Sequence, residues 1–230
     1  MSIEYDELIK ENKILKRKLK IMEQSFSQFD FIKNKYSDLI SRLEDIVKAR
    51  TKELESINSK LQDLSMTDTL TGLKNRRAFD EIYSQEFNRA KRQDYILNFL
   101  IIDVDNFKNY NDTYGHKKGD YVLSKIGRVL DKFSSRANDF SFRYGGEEFI
   151  YITCFQDRDK FFDTAESIRK EILNLKIIHE KNSHDFVSVS IGAVISNNKE
   201  IRKQDIFDLA DDNLYKAKEK GRNKTIITSH

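Results

Sequence analysis

The chain has 230 residues, of which 38% are hydrophobic and 34% charged, with no proline and a single cysteine. That length fits one globular unit of roughly 150 residues with an appendage, and the Pro and Cys counts exclude Pro-rich linkers, an intrachain disulfide framework and a Cys-based zinc module. The 41 basic residues exceed the 38 acidic ones by only 3, too weak a balance to imply nucleic acid by itself. The four histidines, at 116, 179, 184 and 230, make no metal-ligand cluster. The longest strongly apolar stretch, Ile96 to Val104, is far short of the roughly 20 residues a membrane helix needs. The charged N-terminus MSIEYDELIKENK has no apolar core and does not read as a signal peptide. The composition therefore predicts a soluble cytoplasmic protein without membrane insertion.

All eight glycines lie at or after Gly72, so residues 1–71 lack both strong helix breakers. A heptad register fits this stretch. With Asn12 at a, the a positions are Asn12, Leu19, Phe26, Lys33, Ile40, Val47, Leu54 and Leu61. The d positions are Leu8, Leu15, Met22, Phe29, Tyr36, Leu43, Arg50, Ile57 and Leu64. Fourteen of these 17 are apolar and the register never slips, which predicts a left-handed coiled coil over residues 1–65. A rod over 8–64 would be about 85 Å long at roughly 1.5 Å per residue. Asn12 in the seam favours a parallel dimer, and Lys33 and Arg50 disfavour larger bundles.

Residues 66–230 read as one α/β domain. A helix is expected from about Arg76 to Lys91, then a buried strand from Ile96 to Asp103. A helix over 119–133 follows. Phe140–Tyr144 and Phe149–Ile152 flank Gly145-Gly146, a hairpin signal. A helix over 159–175, a strand over 186–195, a helix over 204–220 and a short strand over 224–228 complete the chain. This order predicts an α+β fold, a palm-like antiparallel or mixed sheet covered by helices.

Two acidic clusters fall at strand ends. The apolar strand closes on Asp103-Val104-Asp105, and the hairpin turn carries Glu147-Glu148. If these ends converge, their mutual repulsion calls for a cation, and hard oxygen ligands select Mg²⁺. Asp105 repeats the spacing, but strand alternation is taken to turn its carboxylate away from that of Asp103. With no Walker A or G-x-G-x-x-G pattern, phosphate binding falls to lone cations and backbone amides. Lys108, Lys218 and Arg222 are the candidates.

The run Arg143-Tyr144-Gly145-Gly146-Glu147-Glu148-Phe149 resembles the signature of the GGDEF family of diguanylate cyclases, in its GGEEF form. Thr67-Asp68-Thr69-Leu70-Thr71-Gly72-Leu73-Lys74-Asn75-Arg76-Arg77 is similar to the family's domain opening. Asp103–Lys108 and Asn111–Asp120 resemble its nucleotide-binding stretch, and Leu209–Asn223 its closing helix. The match covers about residues 66–228.

The resemblance implies a nucleotidyl-cyclase-like fold, GTP as substrate and cyclic di-GMP as product. It implies Mg²⁺ held by Asp103, Glu147 and the Val104 carbonyl. It implies guanine contacts from Asn111 and Asp120, with Leu123 close by. Phosphate contacts would come from Lys108, Lys218, Arg222 and the amides of Asn106 and Phe107. Glu148 would sit near the ribose 3′-hydroxyl as a metal ligand or a base. Arg136 and Asp139 match the family's R-x-x-D product-inhibition site, and a further arginine often supplied from the next helix falls at Ser167, with Arg169 nearby. Each domain would bind one GTP, so two must face each other, and the coiled coil would bring them together as a homodimer with its geometry controlling activity.

Overall fold

A computed structural model describes residues 2–64, 66–182, 185–196 and 201–229. Two compact units are present, Met1–Leu64 and Ser65–His230. The first is the single helix α1, Ser2–Leu64. Its seam residues Leu15, Leu19, Met22, Phe26, Phe29, Ile40, Leu43 and Val47 are each more than half exposed in the single chain. The side chains of Leu8, Asn12, Leu61 and Leu64 lie outside those described, as does the boundary residue Ser65.

The second unit is built on β1, Leu97–Val104, whose eight residues are all buried. Its side chains alternate between two cores. Leu100, Ile102 and Val104 enter one with Val122, Ile126, Phe161 and Ile191, and Phe99 and Ile101 enter the other with Phe79, Tyr83, Ile206 and Leu214. A strand covered on both faces reads as an uninterrupted apolar run, which is why its sequence carries no polar alternation.

The remaining elements follow in chain order. Helix α2 spans Arg76–Gln93, and its N-cap Asn75 accepts the Ala78 amide at 3.0 Å. After β1 come α3, Phe107–Tyr114, and α4, His116–Phe133. The hairpin strands are β2, Asp139–Gly145, and β3, Glu148–Cys154. Then follow α5, Arg158–Leu173, β4, Val189–Ser196, α6, Lys203–Glu219, and β5, Thr225–Ser229. The sheet order is β2-β3-β1-β4-β5. Every pairing is antiparallel except β4 with β5. The α+β architecture with a mixed sheet is thus as the sequence predicts.

Three details differ. Helix α3 was not expected, and α4 starts at His116 rather than 119, the two being separated by Gly115 at φ +84°. The hairpin turn is centred on Gly146-Glu147 rather than on the two glycines, because the register shifts between Arg143 and Gly145. Strand β4 begins at Val189 rather than 186, since Val187 donates its amide to Ile177 and Ser188 gives its carbonyl to the Asp105 amide.

Gly192 of β4 sits directly beneath α6. A Cβ there would lie 2.0 Å from the Ala210 carbonyl oxygen and 2.3 Å from the Leu214 nitrogen. Helix α6 therefore rides on the sheet at a distance that leaves no room for a methyl group.

Candidate active site

The site starts from strand pairing. Antiparallel register sets Asp103, near the end of β1, opposite Glu148, the first residue of β3. The turn residue Glu147 offers its carbonyl to the Val104 amide at 3.4 Å. The two acidic ends seen in the sequence are therefore neighbours on one edge of the central sheet. A cleft of about 220 Å³ opens there, lined by Asp103, Val104, Asp105, Asn106, Phe107, Lys108, Asn109, Glu147, Lys218 and Arg222.

The electrostatics are those of a site short of positive charge. Asp103 is 8% exposed. Burial, added to repulsion from Glu147 and Glu148, raises its carboxyl to about 6 despite the attraction of Lys218. The Lys218 ammonium lies 2.9 Å from Asp103 Oδ1. Glu148 is also raised, chiefly by burial and then by Asp211 and Glu147, against the pull of Lys218 and Arg76. Carboxylates held this close favour a bound cation.

The donor set suits magnesium. Among the described residues no cluster of three or more His, Cys, Asp or Glu could hold a metal. Mg²⁺ does not need one, because it is usually held by one or two carboxylates, waters and the phosphates of its substrate. Asp103, Glu147 and the Val104 backbone, facing a polar cleft with cations on its rim, meet that pattern.

The hairpin that carries Glu147 is clamped. Arg143 Nε and Nη2 donate to the Gly146 carbonyl at 3.1 and 2.9 Å, and Nη1 donates to Asp68 Oδ2 at 3.1 Å. Asp68 Oδ1 also accepts the Thr71 amide and hydroxyl at 2.9 and 2.7 Å. Thus the opening loop of the domain and the Gly-Gly-Glu-Glu turn share one guanidinium. The sequence reading missed this pair, although an arginine two residues before two glycines was the visible signal.

On the other rim, Asn106 takes the left-handed conformation at φ +54° and launches α3. The first amides of a helix form a ready anion site. Asn111 and Asp120 are not part of the cleft. They lie on the neighbouring α3–α4 pair, where Asn111 Oδ1 is buried without a hydrogen-bond partner and Asp120 is exposed. The missing Cβ of Gly119 is what admits Asn111, for one built there would fall 1.9 Å from its Oδ1. Leu123 is buried next to them on α4 at 3% exposure.

Asp105 requires a correction. Residues two apart in a strand share a face, so alternation does not separate Asp103 from Asp105. Both turn toward α6 and the segment after it: Asp103 meets Lys218, and Asp105 accepts the Asn223 amide at 3.0 Å.

The R-x-x-D pair lies elsewhere, at the start of β2. Arg136 is exposed, whereas Asp139 is 7% exposed and accepts the Thr153 hydroxyl. Asp139 lines a second cleft of about 210 Å³ with Thr67, Leu73, Lys74 and Ser134, and Arg136 does not. Ser167 is exposed on α5. Arg169 is engaged by Glu166 at 2.8 Å and by Asn223 Oδ1 at 2.7 Å.

A mixed sheet with two acids at one end of neighbouring strands, faced by Lys218 of α6 and by Arg222 just beyond it, defines a palm-like domain. The profile of the family described as "Diguanylate cyclase, GGDEF domain" matches residues 65–224. The chain belongs to that family. It is 38% identical over 157 residues to diguanylate cyclase DosC of Escherichia coli, covering 68% of this chain and 34% of that protein. It therefore spans about a third of the length of the DosC relatives it matches.

Among solved structures, the coiled coil and GGDEF domain of DgcB from Caulobacter crescentus in complex with c-di-GMP superposes with a TM-score of 0.66. It shares 28% identity over 83% of this chain and 99% of that one. The active GGEEF domain of a diguanylate cyclase from Vibrio cholerae superposes with a TM-score of 0.61. It shares 34% identity over 67% of this chain and 97% of that one. No helix among the described residues is long and apolar enough to cross a membrane.

Proposed function

We propose that two copies of this chain condense two GTP molecules into cyclic di-GMP and release two pyrophosphates. Each 3′-hydroxyl attacks the α-phosphorus of the other nucleotide, so two phosphodiester bonds form and two bonds to pyrophosphate break. The single observation that carries this reading is the convergence of Asp103, Glu147, Lys108, Lys218 and Arg222 on one cleft.

Asn111 and Asp120 read guanine. An acidic acceptor matches the N1–H and amino group of guanine, and losing such a paired contact costs roughly 1–3 kcal/mol. Leu123 packs near the base. Lys108, Lys218, Arg222 and the amides of Asn106 and Phe107 hold the phosphates. Mg²⁺, when held by Asp103, Glu147 and the Val104 carbonyl, supplies charge neutralisation for the triphosphate and the leaving pyrophosphate. Glu148 receives the proton of the 3′-hydroxyl, a role that suits a carboxyl whose proton affinity burial has raised. Positioning and charge stabilisation account for most of the acceleration in such chemistry.

The domain division at residue 65 assigns α1 to dimerisation and 66–230 to catalysis. A parallel coiled coil raises the effective concentration of the second half-site to about millimolar or more where its geometry permits contact. Single-residue insertions after Leu64 test control by the rod: turnover that varies with heptad phase supports it, and a flat response across one heptad rejects it. Cyclic di-GMP feeds back through Arg136 and Asp139, the pair that matches the R-x-x-D pattern. That DgcB was solved in complex with c-di-GMP supports binding of that product by a domain of this family. The GTP requirement places the reaction in the cytoplasm.

The deciding experiment incubates purified chain with GTP and Mg²⁺ and separates the products by chromatography. Cyclic di-GMP with pyrophosphate from wild type, and neither from Glu147→Ala, is the expected result. Release of free phosphate or GDP instead would overturn the reading.

A further inference from the structure

One buried carboxylate joins two turns that are more than a hundred residues apart in the chain. Asp105 is 1% exposed. Its Oδ2 accepts the Asn223 amide at 3.0 Å and the Ser188 hydroxyl at 2.6 Å, and its Oδ1 accepts the Ser190 hydroxyl at 2.6 Å. Ser188 accepts Asn182 Nδ2 at 3.0 Å, and Asn182 Oδ1 accepts Asn106 Nδ2 at 3.4 Å. The His179 ring Nε2 lies 3.3 Å from the Asn106 carbonyl oxygen.

Both turns hold non-glycine residues in the left-handed region, Asn106 at φ +54° on one side and Arg222 at +61° and Asn223 at +45° on the other. Such backbone costs energy and persists only where its surroundings over-determine it. The Asp105 network supplies that determination. Burying a carboxylate among neutral donors is itself expensive, so this is a costly way to secure a surface turn and a direct way to fix one turn against another.

We propose that Asp105 is a positioning residue. It sets the spacing between the Asn106–Lys108 turn and the Arg222–Asn223 turn, and so matches the site to a triphosphate rather than to a shorter phosphate chain. This rests on the reading that both turns face the phosphates of GTP. A shift of about 1 Å in positioning groups can cost about a hundredfold in rate, and sites are held by the residues behind them as much as by those in contact.

The test measures binding of 3′-deoxyguanosine triphosphate, which cannot react, and of GMP to the full chain by calorimetry with Mg²⁺. Asp105→Asn keeps the shape of the side chain and removes its charge. The expected result is a fall of about tenfold or more in triphosphate affinity, GMP affinity within about twofold, and a smaller change of the same kind in Ser190→Ala. Hydrogen exchange at the Asn223 amide should rise in both variants while exchange in β1 stays unchanged. Parallel losses for both nucleotides, or no loss for either, would overturn the proposal. Should Asp105→Asn not fold, Ser190→Ala decides by the same criterion. Wild type that binds the triphosphate but makes no cyclic di-GMP refutes the proposed activity and leaves this comparison standing. Wild type that binds neither nucleotide refutes both.

Discussion

The Lys218 ammonium and the Asp103 carboxylate, brought by α6 and β1, form an ion pair of 2.9 Å inside the cleft. The pair does not fully offset the cost of burying Asp103. Its carboxyl at about 6 lies above the 3.8 of a free aspartate, so the native state holds this proton more tightly than the unfolded chain. The stability it contributes is fully present below pH 3.8 and is lost as pH rises through about 6. Asp103→Asn should therefore be more stable than wild type at pH 7 in chelator, by at most about 3 kcal/mol, and unfold at a higher temperature. The difference should vanish near pH 4. Added Mg²⁺ should raise the melting temperature of wild type and leave the variant unmoved. Thermal unfolding across this pH range checks all three.

Gly119→Ala separates stability from substrate recognition. Alanine in a helix interior is favoured over glycine by about 1 kcal/mol. Its methyl, however, would occupy the space of Asn111 Oδ1, 1.9 Å from the Cβ position. The flexible amide must swing away. The Phe107 ring, 3.1 Å from the same Cβ position, must also shift, so the helix gain is largely offset. The variant should fold about as well as wild type and lose about tenfold in affinity for GTP, the equivalent of about 1.4 kcal/mol and within the range for a lost paired contact. Calorimetric titration with GTP and a melting curve on one preparation decide this. Unchanged affinity would remove Asn111 from the guanine site.

Arg143 and Asp68 offer a test of how the domain opening speaks to the hairpin. Both side chains are largely buried, at 17% and 21% exposure. Removing either leaves the other without its charged partner and should cost about 1.5–3 kcal/mol. The double variant should cost less than the sum, with a coupling of about 1 kcal/mol or more. If the clamp also holds Glu147 in place, turnover should fall in Arg143→Ala more than in Asp68→Asn, since only the arginine reaches the Gly146 carbonyl.

The rod can be tested at its seam. Ile40 and Leu43, adjacent a and d positions, are 55% and 51% exposed in the single chain. Replacing both with Asp should convert a dimer into a monomer in sedimentation experiments, because charge at consecutive seam positions removes the burial that holds the strands together. Cyclic di-GMP formation should then fall and recover as protein concentration approaches millimolar.

Much of this was legible in the sequence where one physical rule acted alone. The long helix α1 needed only a stretch without glycine or proline, and β1 needed only a run of apolar residues long enough to cross a sheet. The convergence of Asp103 with Glu147 followed from placing two strand ends side by side. Helix α3 was not legible, because Asn109, Asn111 and Asp112 are poor helix formers. It forms because Phe107 and Tyr110 bury their rings in the core, a tertiary gain that outweighs propensity. The start of β4 was misplaced because residues 186–188 spend their hydrogen bonds on neighbouring loops. The tie from Asp105 to Asn223 engages a backbone amide, which no side-chain pattern announces. That Asp103 and Asp105 share a face was legible in strand geometry alone, since residues two apart point the same way.

Gly192 carries a broader implication. With a bare hydrogen as the only spacer between strand and helix, the arm bearing Lys218 has no slack, and its reach toward the acids is fixed when the domain folds. On the proposed reading, so little slack inside one unit would leave control to how often, and at what angle, two such units meet.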